Sequence, residues 1–150
     1  MKLLKTMCAI ALFTLPISSQ ALAGNQALQR NNDIALLAEV IYFEARAEPK
    51  VGQIAVAYVV LNRTKSEEFP QTVQQVVNQA GQFSYKFDRH EDKITDKVAY
   101  QEAVISAALV IDQLVPDPTY GAIYYKNDKV SKQKWNKKLI RKIGNHSFYA

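Results

Sequence analysis

Two consecutive apolar segments, parted by Pro49, limit what this chain can fold into. Ile34, Leu37 and Ile41 recur at spacings of three and four, the repeat of a helix with one buried face. Asp33 stands where an N-cap belongs, so a helix is predicted from Ile34 to about Ala47, with Pro49 marking its end. The run from Val51 to Asn62 is apolar on nearly every side, with Ile54, Val56, Tyr58, Val59, Val60 and Leu61. Its β-branched residues would also suit a strand, but pairing with the preceding helix favours a buried helix.

The first stripe continues at the same spacing to Glu44, an acid on a core-facing arc. Desolvation would push its pKa upward and let it hold a proton near neutral pH, as a general acid must. Glycosidic bond cleavage is the chemistry that most often asks for such a group. The alternative is a Glu44 at the edge of the stripe, solvated and paired with a base, and periodicity leaves both open.

Met1 to Ala23 carries Lys2 and Lys5, an apolar run from Met7 to Leu15, then Pro16 and the small-residue ending Ala21-Leu22-Ala23. This is the pattern of a secretory signal peptide cut after Ala23. The expectation is an exported protein of the periplasm or cell envelope, or one released outside the cell, with residues 24–150 as a single catalytic domain. No segment reaches the roughly 18 uncharged apolar residues of a membrane helix, so no stable membrane insertion is expected. Cys8 lies within the predicted signal, which leaves no thiol nucleophile or disulfide in the rest of the chain.

From Lys126 to Lys142 eight basic residues face one acid, Asp128, a local patch suited to steering an anionic polymer or to solvating a surface. No nucleic-acid-binding module is recognisable, and peptidoglycan, which carries carboxylates, is the better partner. Elsewhere Thr72 to Gln79 reads as a short helix, and Gly81 to Asp92 as a polar, aromatic-bearing loop of the kind that lines clefts. Thr95 or Asp96 caps a helix to about Leu114, with a core stripe of Val98, Ile105, Ala108, Leu109 and Ile111. Gly121 to Lys126 and Asn145 to Tyr149 are predicted to pair as short strands. The fold class is therefore α+β, mainly helical with a small antiparallel sheet.

Zinc amidases and peptidases need about three clustered His or acidic ligands, whereas this chain offers only His90 and His146, without His-x-x-x-His spacing. No Gly-x-Ser-x-Gly motif marks a serine nucleophile. Carboxylate chemistry remains, with Glu48, Asp88 and Asp117 as candidate partners for Glu44.

The run Ala38 to Glu48 (AEVIYFEARAE) is followed by Gly52-Gln53-Ile54-Ala55-Val56-Ala57 and Val59-Val60-Leu61-Asn62-Arg63. Next come Phe69-Pro70-x-Thr72-Val73, Gln82-Phe83-Ser84, Asp117-Pro118-Thr119-x-Gly121-Ala122, Trp135, and Ile143-Gly144-Asn145-His146-x-Phe148-Tyr149. In this order the pieces resemble the SleB-type cell-wall hydrolase family, which includes the spore-cortex-lytic enzymes. The resemblance implies a lysozyme-like domain that cleaves peptidoglycan glycan strands between N-acetylmuramic acid and N-acetylglucosamine. In members that act as lytic transglycosylases, the first Glu of the Glu-Ala-x-x-Glu segment is the acid/base, here Glu44.

Gln82, Ser84 and Tyr125 are candidate hydrogen-bonding groups for sugars, and Phe83 and Tyr124 candidate stacking platforms. Glu48, Gln53 and Asn62 are candidate supports, and His146 reads as structural. Ala47 stands where the family usually has glycine, and Gln75 where cysteine is common. The expectation is a monomeric peptidoglycan lytic transglycosylase with no metal or cofactor. A hydrolytic muramidase on the same fold and a non-catalytic wall-binding protein are the alternatives.

Overall fold

Between Ile17 and Asp33 there is no proline, and Ala, Gln, Leu and Arg favour helix. In the computed structural model, which describes residues 17–86, 93–132 and 134–150, α1 accordingly runs unbroken over Ile17–Ala45. Asp33 is therefore not an N-cap; it lies inside α1 and accepts from Gln29 Nε2 at 2.9 Å. The predicted cleavage point after Ala23 falls in a stretch where residues 20–32 are exposed, and Cys8 and the rest of 1–16 lie outside the described residues. Arg30 anchors this stretch by an ion pair to Asp112.

The predicted stripe is the buried one: Ile34, Leu37 and Ile41 join Val40 and Tyr42 in the core. Pro49 ends the first apolar segment and N-caps α2, Lys50–Arg63, whose Val56, Ala57, Val59 and Val60 are fully buried. Thr72 caps α3, Val73–Val77, accepting from Gln75 N at 3.2 Å. A single 3₁₀ turn follows at Ser84–Lys86.

α4, Lys97–Ile111, is capped by Asp96, whose Oδ1 accepts from Val98 N and Ala99 N at 3.1 and 3.0 Å. Its buried face is Ala103, Ser106, Ala107 and Val110; of the predicted stripe, Ala108 and Ile111 pack partly buried against the core, whereas Val98 and Ile105 are exposed. Small residues win this face because α4 packs on both α1 and α2, and close helix approach leaves no room for large side chains.

The sheet has three antiparallel strands in the order β1-β3-β2: β1 Tyr124–Asn127, β2 Leu139–Ile143 and β3 His146–Tyr149. The predicted β1–β3 pairing is present, with Tyr125 opposite Phe148 and Asn127 opposite His146. β2 was not anticipated, because Leu139, Arg141 and Lys142 read as part of the basic tract. As the central strand, β3 is buried along its whole length.

Candidate active site

Ile41 is fully buried, and one turn further along α1 Glu44 emerges half-buried into a cleft of about 520 Å³ between α1, α2 and β1. Burial raises its pKa, and this outweighs the opposite pull of a hydrogen bond donated by the Tyr125 hydroxyl. Tyr125 is itself pushed well above its ordinary pKa by burial and by the Glu44 charge, so it remains a phenol and a donor. Strand β1 fixes its position, with the ring against His146 at 5.5 Å and Phe148 at 6.2 Å. Tyr125, expected to bond sugars, lines the cleft and also donates to the carboxyl.

Among the described residues lining the cleft, Glu44 is the sole carboxylic acid. Glu48, a candidate partner for Glu44, does not line the cleft. It is 7% exposed, and its Oε2 accepts from Asn145 N at 2.9 Å while Oε1 accepts from Asn145 Nδ2 at 2.7 Å. His146 Nδ1 lies 3.7 Å from Glu48 Oε1. Burial lowers the His146 pKa despite Glu48 and Asp128.

Asp117 is equally committed elsewhere. Its carboxylate accepts from Thr119 N, Thr119 Oγ1, Gly121 N and Asn62 Nδ2 at 2.7 to 2.9 Å. Burial opposes ionisation there, but these four bonds hold the pKa below the usual carboxylate value. Asp88 and His90 lie outside the described residues.

The supports satisfy buried backbone and join elements. Gln53 donates to Glu48 O at 3.3 Å and accepts from Ser106 Oγ at 3.1 Å, linking α2 to α4. Asn62 also reaches Ala122 O at 3.1 Å, tying α2 to the loop before β1. Gln82 lines the cleft and is exposed; Ser84 lies in the 3₁₀ turn, and its side chain is outside the described set.

Phe83 is fully buried and offers no face to a sugar, so its stacking role is withdrawn. An aromatic following a polar loop residue carries no sequence mark of which way it turns. Tyr124 does line the cleft, with Trp135 edge-on at 6.4 Å. Arg63, given no role from the sequence, forms part of the same wall; its signals were a charge at the end of a buried helix and its place in the run Val59 to Arg63. Ala47 needs no glycine conformation, since the positive-φ non-glycine residues described are Gln113 and Tyr120.

Comparison with known proteins places this arrangement. The cell wall hydrolase family matches residues 47–149. The chain belongs to the cell wall hydrolase family. The spore cortex-lytic enzyme of Bacillus cereus is 39% identical over 119 residues, covering 78% of this chain and 44% of that protein. Its Bacillus subtilis counterpart is 38% identical over 120 residues, covering 79% and 37% respectively. The chain thus spans under half the length of these curated relatives.

Among solved structures, the catalytic domain of the germination-specific lytic transglycosylase SleB from Bacillus anthracis superposes with a TM-score of 0.64. It is 37% identical, over 79% of this chain and 94% of that one. The α+β architecture is therefore that of SleB catalytic domains. The family match opens at Ala47, just beyond Glu44.

Proposed function

We propose that this chain is an exported peptidoglycan lytic transglycosylase that cleaves glycan strands between N-acetylmuramic acid and N-acetylglucosamine, with Glu44 as the single acid/base. The observation that carries this reading is the isolation of one desolvated carboxyl, with its pKa raised by burial, in the cleft. Retaining and inverting glycosidases that use water pair two carboxyl groups about 5 to 9.5 Å apart. Of the three candidate partners, Glu48 and Asp117 are saturated with hydrogen bonds away from it, and Asp88 lies outside the described residues.

With one group, the proton cycles. Protonated Glu44 gives its proton to the glycosidic oxygen as the bond to the muramic anomeric carbon breaks. The carboxylate then accepts the proton of the muramic 6-hydroxyl as that oxygen attacks the same carbon, leaving a 1,6-anhydro end and restoring the acid. No water enters. Tyr125 stabilises the intermediate carboxylate by donating to it, so it favours the second half of the cycle.

Similarity to SleB catalytic domains supports the substrate class, and the signal-like segment before Gly24 supports export to the periplasm or cell envelope. Among the described residues no helix is long and apolar enough to cross a membrane, and no three His, Cys, Asp or Glu side chains group to hold a metal ion. A monomer suffices for the chemistry, since every group invoked comes from one chain.

The test is mass spectrometry of soluble products from purified peptidoglycan, with Glu44→Gln alongside. Anhydro-muropeptides from the native chain and none from the folded variant are expected. Reducing-end products would make it a hydrolase, and intact binding without cleavage by the native chain would make it a wall-binding protein.

A further inference from the structure

Arg63 closes α2 in the wall of the cleft that holds Glu44, yet it is only 5% exposed. Its Nε donates to Ile123 O at 2.8 Å, and the guanidinium lies 4.8 Å over the Phe69 ring. Nη1 is buried with no hydrogen-bond partner. A desolvated guanidinium with a spare donor is costly, and the group that best offsets the cost is an oxyanion.

Two further cations share the cleft. Lys137 is exposed at its rim, with Nζ 3.4 Å from the centre of the Tyr124 ring. Lys126 lies 3.8 Å from Asp128, an acid that also meets Lys142 at 3.3 Å and Ser147 at 2.6 Å. Against these three stands Glu44, which is uncharged when ready to act as an acid. A neutral polymer of N-acetylglucosamine has no use for this excess, whereas a polymer with a carboxylate on each repeat does.

We infer that Arg63 and Lys137 form a carboxylate receptor, and that the strand selected is one whose muramic lactyl carboxylate is free. The inference rests on the transglycosylase reading, because position decides between carboxylates. The lactyl group hangs from C3 of the sugar whose C1 is attacked, so its charge stays within one ring of the bond beside Glu44. Terminal carboxylates of a peptide stem are several residues away, and a stem turns the lactyl carboxyl into an uncharged amide. A reaction that hydrolyses that amide and removes the stem must therefore supply the preferred substrate. On binding, Lys137 leaves Tyr124 for the carboxylate and frees the ring for a sugar face, while Arg63 receives its missing acceptor.

Three polymers test this: amidase-treated glycan with free carboxyls, the same glycan with carboxyls capped as neutral methylamides, and stem-bearing peptidoglycan. For the native chain, capping is expected to raise KM about tenfold or more with a much smaller change in kcat, the scale of one charge-assisted contact. Lys137→Gln, at an exposed position that folding tolerates, should shrink the difference between free and capped glycan, and Arg63→Gln should nearly abolish it. Equal kcat/KM for free and capped glycan would overturn the receptor while leaving the transglycosylase reading intact. Preference for stem-bearing strands would overturn the lactyl assignment. If the native chain cleaves none of the three, the functional reading fails, and the affinity of Glu44→Gln for free against capped glycan still decides the receptor.

Discussion

Glu48 and Gly144 are 96 positions apart in sequence, yet an added Cβ on Gly144 would overlap the Glu48 carboxylate. The carboxylate occupies the place where a side chain would stand, and from there it accepts from the backbone and side chain of Asn145. This contact fastens the β2–β3 turn to the junction of α1 and α2, and so holds β3, and through it β1 and Tyr125, against Glu44.

Gly144→Ala should therefore be strongly destabilising, since it combines a backbone φ of +57° with the overlap. A loss of about 2–4 kcal/mol is expected by urea denaturation. Gly81→Ala is the control: φ is +74° but the space is open, so about 1 kcal/mol is expected there. Equal losses would show that backbone strain alone, not the Glu48 contact, matters at Gly144.

Glu48 makes the fold acid-sensitive. Burial opposes its ionisation, but the Asn145 hydrogen bonds and the His146 and Lys129 charges lower its pKa below 4.5 overall. A depressed folded pKa gives stability that is present above the unfolded value and lost as pH falls through the folded one. Stability measured from pH 7 down to 3 should fall below about pH 4.5, and Glu48→Gln should be less stable at pH 7 with a shallower fall.

Glu44 works in the opposite sense. Its raised pKa means the folded state disfavours the charge above the unfolded pKa of 4.5, and the penalty vanishes below it. Glu44→Gln should melt at a higher temperature than the native chain near pH 7.5, and the gap should close near pH 4. Activity should fall by about 10²-fold or more, the scale of a lost general acid. A variant less stable at neutral pH would contradict the desolvated setting of Glu44.

Tyr125→Phe removes a hydrogen bond that lowers the Glu44 pKa, so that pKa should rise further. The basic limb of the kcat/KM profile, which reports loss of the acid's proton, is expected to move to higher pH while kcat falls. An unmoved limb with normal folding would separate Tyr125 from the acid/base.

Asp117→Asn tests another candidate carboxylate. Loss of its charge-assisted bonds to Thr119, Gly121 and Asn62 should cost about 1–3 kcal/mol of stability, with kcat/KM per folded molecule within about threefold of native. A collapse of kcat in a folded Asp117→Asn would restore a two-carboxylate mechanism.

The sequence by itself determined the helical frame and marked Glu44, the proposed acid. The stripe Ile34, Leu37, Ile41 has the period of a buried face, Pro49 cannot continue a helix, and Thr95 or Asp96 is a cap by its chemistry; each is a property of neighbours in the chain. The place of Glu44 at the cleft was legible for the same reason, as the next position on that stripe. Asp33 misled because a good cap residue also survives inside a helix when nothing upstream stops it.

Only the tertiary structure decided what the other polar groups do. Whether Glu48 is a second catalytic carboxylate or a clamp depends on Asn145, 97 positions away, and the fate of Asp117 depends on Asn62, 55 positions away. The buried face of α4 and the inward turn of Phe83 were likewise settled by which helices and loops come close enough to exclude water. Local periodicity records the phase of a helix, but burial, desolvation and pKa arise from distant groups brought together, and those distances exist only once the chain has folded.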